Sequence, residues 1–174
     1  QGNPLEKTVT ERSGTTTTST KVVSYAYHGY DKYFQQKAVK DPAGRISYTE
    51  YYDSSATDGK KGQVYRVYDP KWSGGYTNSS GTGWRDNIVP SDAAKWSAEF
   101  NYDTDGRPTS VKKLQAIISG TYTPVETVTT YGGSGTPFWG AAATVTEDSG
   151  SGHFNRLTET LAYNSAGKAI ETKD

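Results

Sequence analysis

The feature that most constrains this chain is a five-residue turn pattern that occurs three times. It reads Asp41-Pro42-Ala43-Gly44-Arg45, then Asp103-Thr104-Asp105-Gly106-Arg107, then Asn164-Ser165-Ala166-Gly167-Lys168, so successive copies start 62 and 61 residues apart. Each copy has Asp or Asn first, Gly fourth and a basic residue fifth. An Asp or Asn side chain hydrogen-bonds backbone two residues further on and folds the chain back. Glycine adopts a positive φ at little cost, which closes a tight hairpin. Alternating apolar and polar residues flank each copy, as paired strands require. The pattern predicts three hairpins whose turns rest on Asp41 and Gly44, Asp103 and Gly106, and Asn164 and Gly167. Its near-constant spacing predicts a repeat architecture.

The rest of the chain agrees with strands. Period-two alternation predicts them at residues 21–27, 34–40, 45–52, 63–68, 96–102, 126–131 and 157–163. Val23, Tyr25 and Tyr27 share one face of the first, and Ile46, Tyr48 and Tyr52 one face of the third. A helical signal occurs only at residues 91–95, where Ser91 is the expected cap. The run of threonines at 15–18 reads as a loop or as the ragged start of an edge strand. The terminal strands, near 8–12 and 168–173, have thin apolar faces, with Val9 in one and Ala169 and Ile170 in the other. They are expected at sheet edges. The predicted class is all-β: antiparallel β-hairpin repeats forming a twisted or spiralling sheet, with little or no helix. Residues 1–174 read as a single β segment, interrupted at 69–90 by a long insertion rich in aromatic, Gly and Ser residues.

Composition narrows the functions. Hydrophobic residues make up 32% of the chain and mean hydropathy is −0.80, but 14 Tyr, four Trp and four Phe supply large apolar areas. A few such rings can hold thin β-layers together. Nineteen basic and 19 acidic residues balance to zero net charge, which argues against a nucleic-acid surface. Cysteine is absent, so no disulfide framework or thiolate chemistry is available. No run reaches transmembrane length. The chain contains no Met and shows no signal peptide, so it reads as a processed product or a piece of a longer protein.

Tyr102-Asp103-Thr104-Asp105-Gly106-Arg107 resembles the Tyr-Asp-x-x-Gly-Arg unit of YD-repeat (Rhs-type) proteins. Tyr163-Asn164-Ser165-Ala166-Gly167-Lys168 is similar with conservative changes, and the first copy differs in having Lys40 in the tyrosine position. Tyr52-Asp53 and Tyr68-Asp69 are partial echoes. The resemblance covers residues 34–174 with gaps. It implies a secreted or cell-surface structural protein whose hairpins spiral into a hollow β-shell, in some members enclosing a toxin and in others serving adhesion. The partners expected are neighbouring repeats of a parent chain or, if the chain is a complete subunit whose edge strands join copies into an extracellular polymer, other copies of this chain. Family repeats come closer together than these, and the insertion at 69–90 is not part of the family pattern.

Chemistry-bearing patterns are few. His28 and His153 are far apart in sequence and are too few for a zinc site. Ser134 lacks the following glycine of a nucleophile elbow. Gly59-Lys60 and Gly167-Lys168 lack the flanks of a phosphate loop. Asp103 and Asp105 are not followed by the spaced oxygen ligands of a calcium loop. Glu50 with Asp53, and Glu99 with Asp103, are formal carboxylate pairs that hairpin charge pairing explains more simply. Asn78-Ser79-Ser80 is a formal glycosylation sequon. No catalytic residue, metal ligand or cofactor is expected. The best candidate contact surface is the insertion, where Trp72, Tyr76 and Trp84 with Arg85 could stack on a glycan or anchor a cell-surface protein. The alternative is that these aromatics fold back and plug one end of a sheet.

Overall fold

The computed structural model describes residues 3–71, 75–78, 83–86, 88–118, 121–133, 140–148, 156–163 and 169–173. The third turn, with Asn164 and Gly167, lies outside the described residues, as does Trp72. The protein is all-β: among the described residues, thirteen strands, one four-residue helix and one short 3-10 turn make up the regular structure, and the strand ladders are antiparallel. By its contacts the chain divides into two compact units, Gln1–Thr57 with Lys61–Ser97, and Asp58–Lys60 with Ala98–Asp174.

The first unit is an open meander of β1 (Glu6–Ser13), β2 (Thr16–Tyr27), β3 (Gln36–Lys40), β4 (Ile46–Tyr51) and β5 (Val64–Tyr68), each beside its sequence neighbour. One cross-strand row forms its core. Ala26 pairs with Ala38, Ala38 with Tyr48, and Tyr48 with Tyr68. All four are buried, and the two tyrosine rings meet edge-on at 5.7 Å. Two alanines beside two tyrosines leave a recess above β2 and β3. The insertion fills it. Its strands β6 (Tyr76–Asn78) and β7 (Ile88–Pro90) pair with each other, and its single helical turn α1 is Gly83–Asp86. Ile88 completes the buried cluster, with Tyr76, Trp84 and Trp96 packed against it. The aperiodic insertion is therefore the cover of this core.

Two expectations need correction. Residues 91–95 do not form a helical turn capped by Ser91. The Asp92 carboxylate accepts from the Ala94 N–H at 2.9 Å while the Asp92 carbonyl accepts from Lys95 N–H at 3.1 Å. A local aspartate turn has won over a helix start. Tyr52 also does not share the face of Ile46 and Tyr48. The ladder shifts register between Glu50 and Tyr51. A bulge of this kind sends the following side chains to the opposite face. Tyr51 joins Tyr48 around the His28 ring, at 5.7 and 5.9 Å, while Tyr52 packs on Tyr65 at 4.8 Å. The threonine run is strand: Thr16 to Thr18 open β2 after a turn in which Gly14 has φ 62°.

The second unit is a further meander of β8 (Ala98–Tyr102), β9 (Pro108–Ile118), β10 (Thr121–Tyr131), β11 (Ala142–Glu147), β12 (Arg156–Tyr163) and β13 (Ala169–Lys173). Strands β9 and β11 were not expected as such. The Lys112-Lys113 pair masks the alternation of β9, yet Lys112 stands opposite Glu99 on one side and Glu126 on the other, so charge pairing carries the strand across it. Among the described residues this unit buries no hydrophobic side chain; its strands are a single layer, half-exposed on both faces. Among the described residues the terminal strands β1 and β13 pair on one side only, and every residue of both is exposed.

Candidate functional site

The two described turns have the same hydrogen-bond set. In the first, Asp41 N–H donates to the Arg45 carbonyl at 2.9 Å and Gly44 N–H to the Asp41 carbonyl at 2.9 Å. Asp41 Oδ1 accepts from the Ala43 and Arg45 amides, both at 2.9 Å, and Oδ2 from Arg45 Nε at 2.7 Å. In the second, Asp103 N–H donates to Arg107 at 3.0 Å and Gly106 N–H to Asp103 at 3.2 Å. Asp103 Oδ1 accepts from the Asp105 and Arg107 amides at 2.9 Å, and Oδ2 from Arg107 Nε at 2.7 Å. Gly44 has φ 83° and Gly106 φ 80°. Each motif residue thus has a physical task. The Asp collects two amides and a guanidinium, the Gly supplies the left-handed residue, and the Arg neutralises the Asp. Desolvation pushes both carboxyls upward, but the amide and arginine bonds outweigh it and hold them below the usual aspartate range.

The turns differ in what covers the arginine. The Arg107 guanidinium lies 4.6 Å over the Tyr131 ring and also reaches Asp105 at 2.9 Å. Tyr131 donates its hydroxyl to the Pro108 carbonyl at 2.8 Å. The side chain of Arg107 is 27% exposed, whereas that of Arg45 is 71% exposed.

The insertion residues read as candidate contacts are largely structural. Tyr76 donates to the Tyr68 carbonyl at 3.4 Å and lies 6.4 Å from the Tyr48 ring. Trp84 is half-buried against the core, with Lys40 at 5.9 Å and Arg85 at 5.3 Å from its ring. Arg85 ties the insertion to the first hairpin: Nε donates to the Tyr25 carbonyl at 3.1 Å, and Nη2 to the Leu5 carbonyl at 3.3 Å and to Glu6 at 2.7 Å. Trp84 still forms one wall of an open groove of about 520 Å³, lined also by Thr20, Val22, Ser24, Lys40 and the first turn.

The formal carboxylate pairs are engaged elsewhere. Glu50 faces Lys32 at 3.8 Å, Glu99 faces Lys112 at 3.9 Å, and Asp53 accepts from Ser55 N–H at 2.9 Å. No group of three or more His, Cys, Asp or Glu side chains suited to a metal occurs among the described residues. His28 sits against Tyr48 and Tyr51, its Nε2 2.9 Å from the Thr49 carbonyl. Burial lowers its pKa, against the Thr49 bond.

One feature escaped the sequence. Tyr33 and Phe34, in the loop between β2 and β3, both have positive φ, 55° and 53°, and are about half exposed. Bulky residues rarely take this conformation. Amides on either side hold it: Phe34 N–H donates to Gly29 and Gln35 N–H to Lys32. The Tyr33 ring covers Gly62, where an added Cβ would meet it at 3.2 Å. Only the absence of glycine at 33 and 34 distinguishes this loop in sequence, and that gives no warning.

No family model matches the chain, and no curated protein matches it.

Proposed function

We propose that the chain is a structural wall or spacer segment of a larger secreted or cell-surface protein of YD-repeat type, one that encloses a toxin or serves adhesion. The observation that carries this reading is the pair of Asp-x-x-Gly-Arg turns with one shared hydrogen-bond set. Two further observations favour it. The second unit is a single layer with no buried hydrophobic side chain among its described residues, as suits a sheet completed by neighbouring structure. Among the described residues the terminal strands each pair on one edge. In this role the protein contributes shape and no catalysis. An antibody against this chain, applied to intact source cells and to culture medium before and after surface proteolysis, tests it. The expected signal is external and belongs to a polypeptide longer than this chain. A signal confined to the cytoplasm refutes the reading.

A second reading, a glycan-binding module, is favoured by the open groove beside Trp84 with its Lys40, Thr20 and Ser24 lining. Titrating oligosaccharides while following Trp fluorescence in the wild type and in Trp84→Phe separates it from the first. A saturable change lost in the variant supports binding; identical traces from both proteins remove it.

A further inference from the structure

Strand β1 carries a charge pattern that is its own complement when reversed. From Glu6 to Arg12 it reads Glu-Lys-Thr-Val-Thr-Glu-Arg, with Val9 at the centre. Laid antiparallel against a second copy and centred on Val9, it sets Glu6 opposite Arg12, Lys7 opposite Glu11 and Thr8 opposite Thr10. The arrangement is two-fold, so each of these pairs occurs twice. The backbone permits this register. The Leu5 carbonyl accepts from Tyr25 N–H at 2.9 Å, and the Glu11 carbonyl from Thr18 Oγ1 at 3.0 Å. The odd-numbered residues of β1 therefore turn their amides and carbonyls toward β2. The even ones turn theirs outward, and in a pairing centred on Val9 they meet only one another, as an antiparallel ladder requires. Centring on Thr8 or Thr10 sets no opposite charges facing, and centring on Lys7 or Glu11 sets like charges face to face.

We propose that β1 is a dimerisation edge, on which a second copy of this chain adds its own β1, antiparallel and centred on Val9. Main-chain bonds supply the attraction in such strand addition, and the facing charges fix the register. The strand suits the task. All eight of its residues are exposed, Val9 at 48%. Its ladder with β2 shifts between Glu11 and Arg12, but the extra residue there is Thr18 of β2, so β1 itself stays regular. Its two carboxylates are more than half exposed and hold one cation each, Glu11 facing Lys21 at 3.0 Å and Glu6 facing Arg85 at 2.7 Å. Each keeps lone pairs for the second copy's Lys7 or Arg12. The inference rests on β1 alone, not on the structural role proposed above.

The full chain contains no cysteine, so single cysteines report the register. In Val9→Cys the two thiols face each other with Cα atoms about 4.5 Å apart, within disulfide range. In Lys7→Cys each thiol faces the second copy's Glu11. Mild oxidation should cross-link the first variant and leave the second uncoupled. Sedimentation of the wild type should show dimer rising with concentration. Lys7→Glu turns two attractive pairs repulsive and should weaken that dimer about tenfold. Hydrogen exchange reads the same contact without any substitution. The Thr8 and Thr10 amides should slow as dimer forms, while those of Lys7 and Val9, already turned to β2, stay unchanged. Equal cross-linking of the two variants overturns the register. Thr8 and Thr10 amides indifferent to concentration, or a dimer that Lys7→Glu leaves untouched, overturn the edge itself.

Discussion

Two glycines with the same backbone angle should respond very differently to one added methyl group. Gly44 and Gly59 both have φ +83°. A left-handed conformation costs an L-residue about 1–2 kcal/mol, and that term is common to Gly44→Ala and Gly59→Ala. At Gly44 nothing lies within 4 Å of the added Cβ, so strain is the whole effect. At Gly59, which belongs to the second unit, the Cβ would stand 2.3 Å from the Asp103 carbonyl oxygen and 2.4 Å from the Thr104 carbonyl carbon. These are backbone atoms of the second turn, and no rotamer change can relieve the contact. The Asp103 carbonyl also accepts the Gly106 amide that closes the turn. Moving it by the ångström or so required breaks two or more hydrogen bonds at about 1 kcal/mol each. Gly59→Ala should therefore cost about 4 kcal/mol, and Gly44→Ala about 1 kcal/mol. For a chain of this length each kcal/mol lowers Tm by about 2–4 °C. Urea denaturation and thermal melts of both variants measure the difference. Equal losses would refute the reasoning, since they would show that residues 58–60 do not press on the second turn.

Three further outcomes are expected. Asp103→Ala should lower Tm more than Asp41→Ala, because it removes the less exposed ion pair and leaves the half-buried Arg107 with only the exposed Asp105 as counter-charge, whereas Arg45 is already open to water; a melt of each variant checks the order. Burial keeps His28 neutral in the fold, below its ordinary value of 6.5, so the unfolded chain takes up a proton first. Stability should be full above pH 6.5 and fall as the pH drops below it; urea midpoints at pH 7.5 and 5.5 should differ in the wild type and converge in His28→Gln. Arg85→Ala removes charge-assisted bonds to Tyr25, Leu5 and Glu6 and should cost about 2 kcal/mol, with β1 amides exchanging faster and β4 amides unchanged.

What the sequence made legible was local. The Asp-x-x-Gly-Arg turn could be read because all its bonds fall within five residues, and the residue types state the geometry. Strands with clear alternation were readable for the same reason. The failures are positions where a distant partner decides. Tyr52 left its expected face because a bulge at Tyr51 changes the register by one residue, which alternation cannot report. That Trp84 and Tyr76 also pack on the core was not legible, because nothing in 69–90 reveals the buried cluster of Ala26, Ala38, Tyr48 and Tyr68 that they pack against. Lys112 and Lys113 hid a strand in which Lys112 is answered by Glu99 and Glu126 from the two neighbouring strands. Arg85 binds residues about 80 positions away, a separation at which one sequence carries no signal.

The two units also differ in how they meet the basic difficulty of a sheet, which is covering its faces. The first unit does so internally, folding 69–90 back over the Ala26–Ala38–Tyr48–Tyr68 row. That excursion begins after Tyr68, where β5 stops. The second unit keeps its strands in the sheet and its Arg107 covered by Tyr131, and among the described residues none of its hydrophobic side chains is fully buried. A layer of that kind gains little from burial alone, at roughly 25 cal/mol per Å², and depends on ladders, turns and whatever lies against its faces. Turns that bind their own arginine suit such a sheet. They fix strand pairing and register through hydrogen bonds confined to five residues, so each hairpin is defined before any face is covered. On that logic the turn does for a thin wall what a hydrophobic core does for a compact domain, and the polar composition of the chain follows from the same arrangement.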